Sequence, residues 1–127
     1  MARILIVDDD PDVAGILSGA LAPTHEVIAA RDWTQVNEHV FRKPVDLVLV
    51  DVGMPVIAGD KIAGILRRTV DRKVKIVLFS AMDEGALRRL AATAKADGYL
   101  QKNFDPVVLT AQVERLLAPA PVAPKAR

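Results

Sequence analysis

The chain has no cysteine, which removes disulfides, thiolate nucleophiles and Cys-based zinc or iron sites from consideration and fits a reducing compartment. It also lacks an excess of either charge. Seventeen Lys+Arg stand against sixteen Asp+Glu, a formal +1 with no basic block, so nothing points to nucleic acid or an anionic membrane surface as the main partner. No apolar run approaches the ~20 residues that span a bilayer. At the N-terminus only Ile4 to Val7 are continuously apolar before charges begin, too short for a signal peptide. Internal repeats are missing as well. What is present is 127 residues, 51% hydrophobic and 26% charged, enough for one globular domain with a real core.

Apolar β-branched runs alternate with helical patterns along the chain. Ile4–Val7 ends in Asp8-Asp9-Asp10-Pro11, after which Val13, Ile16, Leu17, Ala20 and Leu21 recur at helical spacing. A weaker strand, His25 to Ala30, precedes a helix capped by Asp32 and carrying Trp33, Val36, Val40 and Phe41, broken at Pro44. Val45–Val50 is closed by Asp51. Then follow a helix with Ile62, Ile65, Leu66 and Val70, the run Val74–Phe79 ending at Ser80, and a helix from Asp83 or Glu84 with Leu87, Leu90, Ala91 and Ala94 inward. A short strand, Gly98–Gln101, leads through Lys102 to a last helix opened by Asp105-Pro106, with Leu109, Val113, Leu116 and Leu117. Continuously apolar strands in strict alternation with helices predict an α/β fold: a three-layer, doubly wound, five-stranded parallel sheet of (βα)5 type. The domain is expected over residues 1–118. The Ala/Pro tail, 119–127, reads as disordered or as a linker stub.

Open parallel sheets place their sites beyond the carboxyl ends of the strands. There the sequence puts Asp8 and Asp9, Asp51, Ser80 and Lys102. Three carboxylates brought together repel: at an effective dielectric of about 20, each pair at ~4 Å costs on the order of 4 kcal/mol. Lys102 offsets one charge. An oxygen-only donor set without His or Cys suits a hard divalent ion such as Mg²⁺. A carboxylate beside a metal, an ammonium and a hydroxyl is equipped to attack phosphorus.

On the motifs Ile4-Leu5-Ile6-Val7-Asp8-Asp9, Asp51-Val52-Gly53-Met54-Pro55 with Gly59 beyond, Ser80-Ala81, and Ala96-Asp97-Gly98-Tyr99-Leu100 followed by Lys102, the chain resembles a receiver domain of the response regulators of two-component signalling, the CheY-like family. The resemblance covers roughly residues 2 to 118. It implies that Asp51 accepts a phosphoryl group from a histidine kinase's phosphohistidine or a phosphotransfer protein, and that Asp9 binds Mg²⁺ directly, Asp8 through water, together with Asp51 and the backbone carbonyl of Gly53. Ser80 and Lys102 would contact the phosphoryl group, and Tyr99 would turn inward on activation. Gly53, Ala81, Met82 and Asn103 would modulate access. Output is expected at the face of helix four, strand five and helix five, toward a downstream protein, in a cytoplasmic monomer or phosphorylation-dependent dimer without membrane or nucleic-acid contacts. On this reading the chain is not an enzyme beyond self-catalysed phosphotransfer and slow dephosphorylation, and it includes no output domain.

Two positions depart from the family pattern. Asn103 stands where Lys-Pro is usual, so the Lys102–Asn103 bond is expected to be trans, a cis bond costing ~2.5–4 kcal/mol without proline. Lys95 replaces the Gly that usually ends the fourth helix, at a cost of about 1–2 kcal/mol if the left-handed cap is kept, which is expected to shorten or reshape that end. Asp10 is expected to cap the first helix with Pro11. His25 and His39 read as ordinary polar residues away from the site, Trp33 as core, and Arg67-Arg68 and Arg88-Arg89 as solvated faces. Two rivals remain. An aspartyl-phosphate phosphohydrolase would want a second acid two residues after the nucleophile, where Gly53 stands; a receiver-like interaction module that is never phosphorylated would not need the intact acids.

Overall fold

Strands that are apolar at every position must be covered on both faces. In the computed structural model, which describes residues 2–53, 59–69, 74–102 and 105–118, and the backbone alone at Trp33, Phe41, Gly59, Asp60 and Thr69, the apolar runs become the strands of one sheet. The elements alternate as β1 (Arg3–Val7), α1 (Pro11–Leu21), β2 (Glu26–Ala30), α2 (Trp33–Arg42), β3 (Leu47–Asp51), α3 (Gly59–Thr69), β4 (Lys75–Ser80), α4 (Glu84–Ala94), β5 (Gly98–Gln101) and α5 (Pro106–Leu117). All strands are parallel, in the order β2-β1-β3-β4-β5. The order reverses between β1 and β3, so their carboxyl ends flank a crevice.

The alternation of side chains along each strand sorts the core into two halves. On one face Leu5, Val7, Val48, Val50, Ile76 and Leu78 pack with Val36 of α2, Ile62 and Leu66 of α3, and Leu87 of α4. On the other, Ile4, Ile6, Leu49, Val77 and Phe79 meet Leu17 and Leu21 of α1 and Leu109 and Val113 of α5. Nearly all of these are fully buried, each worth about 1.5–3 kcal/mol relative to exposure. Gly98 marks a close approach of α5 to β5: a Cβ there would lie 2.7 Å from Leu116 Cδ2, so the Leu116 side chain would have to shift to admit it.

Helix starts follow the sequence. Asp10 accepts the Asp12 N–H with Pro11 behind it, Asp32 accepts from Gln35, Asp83 from Ala86, and Asp105 from Val107 and Val108. The end of α4 differs from expectation. Lys95 takes the left-handed conformation (φ 59°, ψ 35°) without shortening the helix; its N–H reaches Ala92 O (3.2 Å) and the Ala96 N–H reaches Ala91 O (2.9 Å). Two otherwise orphaned carbonyls are thereby satisfied, and that outweighs the strain.

The amino ends of the strands are tied by polar groups. Asp46 Oδ2 accepts the Arg3 N–H at 2.7 Å, and Asp97 Oδ2 accepts both Ile76 N–H and Arg67 Nη1 at 2.8 Å. His25, buried just ahead of β2, accepts the Ala2 N–H on Nδ1 at 3.0 Å, which leaves the proton on Nε2 to face Glu114 of α5. His25 is thus a bridge inside the fold and Arg67 is anchored by Asp97, where the sequence suggested ordinary polar positions and a solvated face. Expectations for Trp33 and Phe41 as core side chains, and for Met54, Pro55, Val70, Asn103, Phe104 and the tail 119–127, fall outside the described residues, and with them the geometry of the Lys102–Asn103 bond.

Candidate functional site

The expected acids do converge. Asp8 follows β1 directly and is 1% exposed; Asp51 ends β3 and is 7% exposed; Asp9 stands in the open beside them. One carboxylate oxygen from each lies within 4.8 Å of the others. Asp8 Oδ1 accepts the Asp10 N–H (2.9 Å) and Asp51 Oδ1 accepts the Gly53 N–H (3.2 Å), while Asp8 Oδ2 is buried with no hydrogen-bond partner. Burial pushes the Asp8 carboxyl above its ordinary range, the negative charges of Asp51 and Asp9 add to that, and the Asp10 N–H and Lys102 oppose it.

Lys102 reaches the acids from β5. Its Nζ lies 3.3 Å from Asp51 Oδ1 and 3.9 Å from Asp8 Oδ2, an ion-pair distance too long for a hydrogen bond, and 5.4 Å from the Phe79 ring centre. Among the described residues its carboxylate partners are Asp51 and Asp8. Its backbone N–H donates to Ser80 O at 2.8 Å, which sets β5 against the end of β4. Ser80 is itself almost buried, and its Oγ accepts the Met82 N–H at 3.1 Å. Ala81 beside it is exposed and Met82 half-buried. A Cβ on Gly53 would lie 3.8 Å from both Asp51 oxygens, an ordinary van der Waals contact, so the carboxylate does not itself require glycine there.

Tyr99 stands apart from this group. Opposite Leu78 in the register, it is half-buried, and its hydroxyl lies 3.3 Å from Arg88 Nε and 3.5 Å from Glu84 Oε1, the two joined by a 3.0 Å ion pair. Arg88 is therefore engaged with Tyr99 and Glu84 instead of being simply solvated. His25 and His39 take no part in the site.

Three carboxylates against one ammonium leave two negative charges at this edge, with a buried carboxylate oxygen lacking a donor. Oxygen donors, that charge and that orphaned atom fit a hard divalent cation. Bound there, a cation would also lower the cost of keeping Asp8 ionised.

The response regulator receiver domain family matches residues 4–114. The chain belongs to this family. It is a CheY-like receiver domain of two-component signalling. It is 34% identical over 116 residues to the transcriptional regulatory protein PrrA of Mycobacterium tuberculosis, covering 91% of this chain and 49% of PrrA. The chain spans about half the length of the curated response regulators it matches. Among solved structures, the chemotaxis protein CheY4 of Vibrio cholerae superposes with a TM-score of 0.84 at 25% identity, covering 91% of this chain and 98% of that one. TrrA from Thermotoga maritima, solved in complex with Mg²⁺-BeF, superposes with a TM-score of 0.78 at 32% identity, over 91% and 99% of the two chains. Receiver domains generally bind Mg²⁺ at an acidic pocket, and Asp8, Asp9 and Asp51 form such a cluster here. No helix among the described residues is long and apolar enough to cross a membrane.

Proposed function

We propose that Asp51 is the phospho-acceptor of this receiver. The observation that carries the reading is its placement: a nearly buried carboxylate at the end of β3, 3.3 Å from the Lys102 ammonium and clustered with Asp8 and Asp9. An Asp51 carboxylate oxygen attacks phosphorus of a phosphohistidine on a histidine kinase or phosphotransfer protein; the O–P bond forms as the N–P bond breaks, and the imidazole leaves with the electron pair. Water later attacks the same phosphorus, releasing inorganic phosphate and restoring the carboxylate. Mg²⁺, held by Asp8, Asp9, Asp51 and the Gly53 carbonyl, would supply neutralisation of the phosphoryl oxygens.

Lys102 binds one phosphoryl oxygen in this scheme. Ser80 hydrogen-bonds another after giving up Met82, and Gly53 and Ala81 keep the approach open. Movement of Ser80 is coupled to Tyr99 turning inward, a population shift that the phosphoryl group drives only through its different affinity for the two states. Ile16, Val107 and Val108 are 44%, 78% and 37% exposed on α1 and α5, helices that begin beside the pocket, which supports docking of the phosphodonor there. A cavity of about 220 Å³ among Glu84, Tyr99, Leu100, Gln112, Arg115 and Leu116 supports output through the α4–β5–α5 face. The chain acts in the cytoplasm as a signalling phospho-acceptor.

Intact-mass spectrometry after incubation with acetyl phosphate and Mg²⁺ tests this. The wild type should gain one phosphoryl group that hydroxylamine removes, as expected of an acyl phosphate, and Asp51→Asn should gain none. A mass addition that persists in Asp51→Asn overturns the assignment; no addition to either protein favours an interaction module that is never phosphorylated.

A further inference from the structure

On the sheet face opposite α1 and α5, α3 and α4 enclose a cavity of about 300 Å³ lined by Lys61, Gly64, Ile65, Arg68, Thr93 and Ala94, none of which belongs to the acidic pocket. Its α3 wall is a single helical stripe. Lys61, Gly64, Ile65 and Arg68 stand at i, i+3, i+4 and i+7, so the Cα atoms of the two basic residues are about 10 Å apart along the axis, with the Arg68 guanidinium folded back toward Gly64. Small residues, Thr93 and Ala94, form the α4 wall, and Arg89 lies exposed one turn earlier, its carbonyl accepting from Thr93 Oγ at 3.1 Å.

Among the described residues the charges here are not balanced. Arg67 and Arg88 on the same helices are paired with Asp97 and Glu84, whereas among the described residues Lys61, Arg68 and Arg89 have no ion pair and no acid lines the cavity. The chain as a whole carries only a formal +1, so this is a local cluster and not part of a broad basic surface of the kind that binds nucleic acid. Gly64 makes the depression. A Cβ there would meet only Arg68 Nη1, at 3.9 Å, so packing accepts alanine, yet the helix keeps its weaker residue at this position.

We infer that the α3–α4 groove docks an acidic protein segment that carries one apolar side chain between two carboxylates. The carboxylates meet Lys61 and Arg68; the apolar side chain lies over Ile65 and Ala94 in the space left by Gly64. The cavity is at the small end of the range for ligand sites, a size that suits an inserted side chain better than a whole cofactor.

The probe is a phage-displayed random peptide library, selected on the wild-type chain with counter-selection on Lys61→Glu/Arg68→Glu. The expected winners carry Asp or Glu on both sides of an apolar residue. An enriched peptide, titrated into ¹⁵N-labelled protein, should shift the amides of Gly64, Ile65, Thr93 and Ala94. Its affinity should fall about tenfold or more in Lys61→Glu/Arg68→Glu, and by a similar factor in Gly64→Met, where the depression is filled. Both variants should keep the wild-type circular dichroism and take up phosphate from acetyl phosphate at the wild-type rate, which separates this surface from the chemistry of Asp51. The inference is overturned if no acidic peptide is enriched, if the shifts fall elsewhere, if Gly64→Met binds as the wild type does, or if inorganic phosphate alone displaces the peptide.

Discussion

The two edges of the sheet use the same residue types to opposite ends. At the amino edge each acid is answered: Asp46 by the Arg3 N–H, Asp97 by the Ile76 N–H and Arg67, and Glu114 by His25. At the carboxyl edge Asp8, Asp9 and Asp51 crowd one another around a single ammonium, and one buried oxygen of Asp8 has no donor. Both arrangements are built by the same parallel strands. The first kind of acid locks strands together; the second stores unfavourable charge that a bound cation would relieve. Replacing Asp97 at the amino edge and Asp8 at the carboxyl edge should therefore change metal-free stability with opposite signs.

The largest effect is expected at the amino edge. Asp97→Ala removes the acceptor of a backbone N–H and leaves Arg67 without its carboxylate, which should cost about 3 kcal/mol and lower Tm by about 10 °C in a thermal melt. A loss below about 1 kcal/mol would erase the distinction between the edges. At the carboxyl edge, Asp9→Ala should weaken Mg²⁺ binding at least about tenfold by calorimetry, equivalent to about 1.4 kcal/mol, while metal-free stability stays within about 0.5 kcal/mol of wild type. Unchanged binding would remove Asp9 from the metal site.

Asp8→Asn should stabilise the metal-free protein at neutral pH by about 1 kcal/mol, because it takes away a buried charge that lacks a donor. The pH dependence has a definite sign. Burial raises the Asp8 carboxyl in the folded state above its ordinary 3.8, so the folded chain holds that proton more tightly than the unfolded one. The stability it contributes is complete below the ordinary value and is lost as pH rises through the folded one. Melts of Asp8→Asn and wild type should consequently converge on acidification, and a gap that widens toward low pH would contradict the burial argument. Smallest of all, Lys95→Gly should stabilise by about 0.5–1 kcal/mol by relieving the left-handed strain, partly offset by the freer unfolded chain. No gain in denaturant unfolding would show that the cap carries no strain worth relieving.

The sequence was most readable where a residue's role depends on its neighbours along the chain. The runs Ile4–Val7 and Val74–Phe79 announce strands covered on both faces, and Asp10-Pro11 and Asp105-Pro106 announce helix starts, because each is a local pattern. The acids at the strand ends were legible for the same reason: parallel strands all finish at one edge. Less legible were contacts that join distant segments. Nothing near His25 names Ala2 or Glu114 as its partners, and nothing near Arg67 names Asp97, thirty residues on. The acids that precede β3 and β5, Asp46 and Asp97, carried a usable signal, since an acid placed just before a buried strand is well sited to accept a neighbouring strand's first N–H. Lys95 shows the reverse case, where a correct local rule about strain was outweighed by two hydrogen bonds of the helix end.

The backbone bond from Lys102 to Ser80 has a consequence in the order of assembly. The acids at the ends of β1 and β3 lie on adjacent strands near the middle of the sheet, but the ammonium that offsets them directly follows β5, an edge strand hydrogen-bonded to β4 alone. A chain folding from its first residue gathers the carboxylates early and gains their counter-charge only when the last strand closes. If Asp51 is the acceptor proposed above, its chemistry would be withheld from a partly made or frayed molecule, and the rate of phosphate uptake would double as a report that the final strand is home.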